Sequence, residues 1–65
     1  MKEKIIDIYE NNKGIVISLI KRENKYIVEK CFVKNNIISL FCSYNYTYIK
    51  DAKNKYNELK AFIPL

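Results

Sequence analysis

The chain has 65 residues, 49% apolar and 14% aromatic, with a net charge of +5, one Gly and neither His nor Trp. That length allows a single domain, residues 1–65, close to the lower limit at which a hydrophobic core alone holds a fold together. The apolar content is too high for a disordered segment, and the lack of His removes the commonest general base and metal ligand.

The first predicted element is a strand over Lys4 to Tyr9, apolar and β-branched. It is broken by Glu10-Asn11-Asn12-Lys13-Gly14, residues that tolerate positive φ. A helical turn capped by Gly14 is the alternative for this segment. Ile15 to Ile20 reads as the second strand, being almost wholly β-branched, and Arg22-Glu23-Asn24 as a compact turn with Asn24 in the left-handed conformation. Tyr26 to Val33 is the third strand. Asn35-Asn36 is a two-residue hairpin connection with positive φ at both centres, and Ile37 to about Tyr44 is the fourth strand.

Ile49, Ala52, Tyr56, Leu59 and Ile63 recur at steps of three and four, which predicts a helix from Tyr48 to Phe62 with Thr47 as N-cap and Pro64 as its stop. The expected fold is α+β: a four-stranded antiparallel meander with one C-terminal helix on one face, ββββα, or αβββα if the first segment is helical. The helical stripe reads as the lid of the sheet.

A two-residue loop at Asn35-Asn36 pairs Val33 with Ile38 and Cys31 with Leu40. Strict alternation then puts Ile27, Cys31, Val33, Ile38, Leu40, Cys42 and Tyr44 on the helix-covered face. A three-residue loop before the third strand, with Asn24 bulged, adds Ile15, Ile17 and Leu19, leaving Glu29 at the core margin. The opposite face then carries Val16, Ser18, Ile20, Tyr26, Val28, Lys30, Phe32, Ser39, Phe41 and Ser43. Left without a helix, it meets water, a partner or a second copy of the chain.

Without His, a nucleophile has only Lys as a possible base, and no local signature supports Ser with Lys or Cys with Lys. The acids Asp7, Glu10, Glu23, Glu29, Asp51 and Glu58 stand singly among lysines. Cys31 and Cys42 cannot complete a zinc site without further ligands, and the lone Gly14 makes no phosphate-cradling loop. The expectation is a non-enzymatic chain without cofactor. No apolar run approaches the roughly 18 residues that a membrane helix needs. Met1-Lys2-Glu3-Lys4 leads into a stretch too short and too charged for a signal peptide. A cytoplasmic protein with reduced cysteines is expected.

The positive charge suits phosphates, although Lys, Ile, Asn and Tyr are also what AT-rich codons favour. Tyr44, Tyr46 and Tyr48 alternate, as rings packed beneath the helix or stacked on bases would. Lys21, Tyr26, Lys30, Phe32, Lys34 and Phe41 are the candidate binding residues, with Phe32 and Phe41 read equally well as a dimer contact.

The segment Ile6-Asp7-Ile8-Tyr9-Glu10-Asn11-Asn12-Lys13-Gly14 resembles the opening hairpin of the PUR repeat, the Pur-alpha family of single-stranded nucleic-acid binders. Asp7, Glu10, Asn11, Lys13 and Gly14 match that pattern. Tyr9, Ile15, Val16 and Ser18 stand where the family tends to have Lys, Arg, an aromatic and Lys. The resemblance implies four strands and a helix; the family's nucleic-acid-contacting residues do not carry over. Asp51 to Leu59 also looks like the ending of many short proteins of AT-rich bacteria and their phages. Two functions are therefore expected: a homodimeric module binding single-stranded nucleic acid through a basic aromatic sheet face, or a phage or mobile-element inhibitor of the anti-CRISPR kind, docking on an acidic host protein and blocking its complex.

Overall fold

The computed structural model describes residues 3–61, the side chain of Phe41 excepted. Strands β1 (Glu3–Glu10), β2 (Ile15–Arg22), β3 (Lys25–Lys34) and β4 (Ile37–Tyr46) form one antiparallel sheet in the order β1-β2-β3-β4, followed by helix α1 (Ile49–Ala61). The ββββα layout is thus as the periodicities predict, and the first segment is a strand.

Each turn has a local cause. Asn11 Oδ1 accepts hydrogen bonds from the N–H groups of Lys13 at 2.9 Å and Ile15 at 3.0 Å, while its own N–H donates to the Ile15 carbonyl at 3.0 Å. The three residues between, Asn12, Lys13 and Gly14, form the loop, and Gly14 takes φ 88°. Gly14 also extends the sheet, its carbonyl accepting the Val33 N–H at 2.7 Å. Asn35 and Asn36 both adopt positive φ, 54° and 65°, the geometry that matches a two-residue loop to the strand twist.

The β2–β3 turn departs from expectation. It has two residues, Glu23-Asn24, between the paired Arg22 and Lys25, and Glu23, not Asn24, adopts positive φ, 56°. This shifts β3 by one residue against β2, so that Leu19 faces Val28 and Ile17 faces Lys30. A one-residue slip sends every side chain of a strand to the other side. Tyr26, Val28, Lys30 and Phe32 therefore stand on the helix side, and Ile27, Glu29, Cys31 and Val33 on the open side. The reversal has a physical reason in Glu29, whose carboxylate would otherwise face the core beneath the helix unpaired.

Bulges in the two edge strands complete the sorting. In β1 the register shifts between Ile5 and Asp7, in β4 between Lys30/Cys42 and Cys31/Leu40, which leaves Phe41 as the extra residue. Alternation is reset at each bulge. Ile5 and Ile8 consequently share the open side with Ile38 and Leu40, whereas Cys42, Tyr44 and Tyr46 remain under the helix. Ile38 and Leu40 thus leave the covered face assigned to them by strict alternation, and Ser39, opposite Phe32, joins the helix side.

Helix α1 crosses the sheet against β2, β3 and β4. Ala52 and Tyr56 are buried and join Ile17, Leu19 and Val28 in the core, with Leu59, Tyr9, Tyr44 and Tyr46 packed around it. Ile49 opens the stripe at 37% exposure. The first helical hydrogen bond runs from the Ala52 N–H to the Tyr48 carbonyl at 3.3 Å, so Tyr48 holds the N-cap position, one residue beyond Thr47. Asp51 in the first turn and Lys60 in the last complement the helix dipole. Ile63 and Pro64 lie outside the described residues.

Candidate interaction surfaces

The two sides of the sheet differ in chemistry. The open side is aliphatic: Ile5 is 58% exposed, Ile8 54%, Ile38 71% and Leu40 58%. The register arranges this side in rows. Ile5, Ile20, Ile27 and Asn45 form one row, Ile8, Ser18, Glu29 and Ser43 the next, and Glu10, Val16, Cys31 and Leu40 the third. Ile20 and Ile27 are buried although they lie outside the core cluster under the helix. The charged groups here are Glu3, Glu10 and Glu29 against Arg22 and Lys25, a net charge of −1.

Arg22 is held at one corner, its Nη2 donating to Glu3 Oε1 at 3.1 Å, and this hydrogen bond is the main reason its pKa is raised. Its Nε is shielded and makes no hydrogen bond. Glu29 has no hydrogen bond or ion pair among the described residues and sits in the middle row, between Ser18 and Ser43.

The helix side is basic. Lys4, Lys21, Lys30 and Lys34 of the sheet and Lys50, Lys53, Lys55 and Lys60 of the helix stand against Asp7, Asp51 and Glu58, a net charge of +5. Several of these lysines lie over the tyrosines: Lys55 Nζ is 4.4 Å from the Tyr44 ring centre, Lys60 is 4.7 Å from Tyr56 and 5.9 Å from Tyr9, and Lys21 is 6.0 Å from Tyr26. Lys55 also meets Glu58 at 3.0 Å, beside a shallow depression that Tyr46, Asp51 and Asn54 help to line. Hydrogen bonding with Cys42 is the chief cause that pushes the Tyr44 phenol up. Tyr44 and Tyr46 pack against the core, whereas Tyr48 is 69% exposed beyond the end of β4.

Of the residues the sequence nominates for binding, Lys21, Tyr26, Lys30, Phe32 and Lys34 fall together on the helix side instead of the open one, and Phe41 lies outside the described side chains. The residues that sequence reasoning missed are Ile5, Ile8, Ile38, Leu40 and Glu29. Their signal was Glu29, a carboxylate inside an apolar run, which marks that run's odd positions as the side away from the core.

Cys31 and Cys42 are both free and stand on opposite sides of the sheet, so no bridge can join them while the sheet is intact. The Cys31 thiol is pushed up by burial, then by Glu29 and Cys42. Among the described residues no three His, Cys, Asp or Glu side chains cluster as metal ligands, and no helix is long and apolar enough to cross a membrane. No protein-family model, curated protein or solved structure matches the chain.

Proposed function

We propose that the protein is a non-enzymatic module that binds another protein surface with the open side of its sheet. The observation that carries this reading is the exposure of Ile5 and Ile8 on β1 and of Ile38 and Leu40 on β4, large aliphatic groups left wet at the two edges of one sheet face. The net charge of −1 on that face argues against phosphate as its ligand. Occluding a partner's interface, as a short inhibitor chain does, requires such a face and no catalytic group.

The test is an Ile38→Asp, Leu40→Asp double variant, both sites at the exposed end of the β3–β4 hairpin. It should melt within about 1 kcal/mol of the parent, because both side chains are already wet. It should also lose the parent's binding of an apolar dye and its association with any protein. Equal dye binding and equal hydrodynamic behaviour in parent and variant would remove this reading.

The charge of the other side supports a second reading, in which that side holds single-stranded nucleic acid. Lys30, Phe32 and Lys34 alternate there along β3. Affinity for a mixed-sequence oligonucleotide would then fall by roughly 0.7 log units per log unit of salt for each phosphate contacted. A Lys34→Glu, Lys53→Glu variant would bind more weakly and with a shallower slope. Absence of salt-dependent binding at low salt would exclude it.

A further inference from the structure

We infer that the occupant of the open face is a second copy of this chain, packed sheet on sheet about a twofold axis parallel to the strands, with Glu29 of each copy close to Glu29 of the other. The inference rests on the reading of that face as a protein-docking surface and adds the identity and orientation of what covers it.

Three observations point to a second copy. The broad side of the molecule, 33 × 26 Å in extent, is large enough to supply the ~800 Å² per partner that a standard interface buries. Charge is segregated, near zero on the open face and +5 on the helix side, so two copies meet with least repulsion through the open face and hold their basic sides apart.

The third observation is the order of the rows. A twofold axis parallel to the strands, passing between β2 and β3, lays each row on its own copy and exchanges the two central strands. Ile20 then meets Ile27 of the other copy, and Val16 meets Cys31. In the row between them Ser18 faces Glu29, and Ser43 flanks it. Apolar groups therefore cover apolar groups along the two central strands and Ser18 covers Glu29, while at the edges Ile5, Ile8 and Leu40 meet Asn45, Ser43 and Glu10 of the other copy. The contact is self-complementary, as an isologous interface must be. Sheets packed in this way lie about 10 Å apart, with helices outside, in an α/β/β/α assembly.

The two Glu29 carboxylates are then separated by about one strand spacing, near 5 Å across the axis; each lies against the Ser18 hydroxyl of the other copy, which supplies the donor a covered carboxylate needs, and their like charge weakens the dimer. This makes Glu29 the diagnostic residue. Sedimentation of the parent at micromolar concentration should show a dimer. Glu29→Gln should tighten it by about tenfold or more, and Ile8→Glu with Leu40→Glu should give a monomer with unchanged circular dichroism. Mixing the parent with Glu29→Lys should give, by native mass spectrometry, more heterodimer than the statistical share, because the Glu29 carboxylate of the parent copy would then face the introduced ammonium of the variant copy.

A dimer that survives the Ile8, Leu40 variant, or a mixture that pairs at random, overturns the inference. A parent that stays monomeric but binds an apolar dye, lost in the Ile8, Leu40 variant, overturns the second copy and leaves the face as a site for a different protein. A monomer whose dye binding is the same in parent and variant removes both readings.

Discussion

Gly14 shows how much one residue fixes. It sits at φ 88°, and a Cβ placed there would clash with the backbone carbonyl oxygen of Val33 in the central strand β3. Neither partner has room to give. Gly14→Ala should therefore cost about 2 to 3 kcal/mol, part from the left-handed backbone and part from displacing β3, read as a lower urea midpoint with an unchanged slope. Asn11 is the other keystone of this turn. Removing its two side-chain hydrogen bonds by Asn11→Ala should cost about 1 to 2 kcal/mol, measured in the same way.

Tyr56 adds a pH signature. Burial raises its phenol first, and the Asp7 carboxylate raises it further. A group whose folded pKa is raised leaves stability intact below its unfolded pKa, near 10, and withdraws it as pH climbs from there through the folded pKa. The unfolded chain releases the proton first and is favoured by doing so. Thermal melts should be flat in this contribution up to about pH 9 and fall above about pH 10. In Tyr56→Phe the fall should be shallower.

At the scale of elements, the helix and the sheet are each incomplete alone. Ala52 and Tyr56 are almost inaccessible, at 0% and 3% exposure, and close over Ile17, Leu19 and Val28. Tyr56→Asp would place an unpaired charge there, costing several kcal/mol against the marginal stability of so small a domain. The expected result is loss of the helical and strand signals of circular dichroism together at 25 °C. A variant that melts like the parent would show that this stripe is not the core.

The strands themselves were legible because β-branched runs, Asn-rich turns and the one Gly each act locally. Their faces were not. The two-residue turn at Glu23-Asn24 and the bulges at Ile6 and Phe41 each shift register by one residue, and each shift inverts every side chain beyond it. No propensity distinguishes a two-residue from a three-residue loop at Arg22-Glu23-Asn24-Lys25.

The whole molecule has two layers, with one aliphatic side and one basic side. Because the helix shields one side of the sheet only, Leu40→Glu should change stability by no more than about 0.5 kcal/mol, as exposed substitutions do, while altering sedimentation. The same charge at Leu19, which is 1% exposed on the covered side, should unfold the chain. Comparing the two variants in one melting experiment separates the covered from the uncovered face without knowledge of any partner.

Composition and periodicity by themselves determined the class of the fold: α+β, with its four strands and final helix in order. These follow from interactions within a few residues, which chain order preserves. Which side of each strand meets the helix was decided by tertiary structure, because side-chain direction depends on a register summed over turns and bulges. That summation moved Tyr26, Lys30 and Phe32 from the open side to the helix side and exposed Ile5, Ile8, Ile38 and Leu40 in their place. The face left uncovered by the helix is therefore aliphatic at its edges and nearly neutral, although the chain as a whole is basic and rich in tyrosine. The physical reason is that burial is a property of faces, and a sheet assigns its faces only when the last strand is in register.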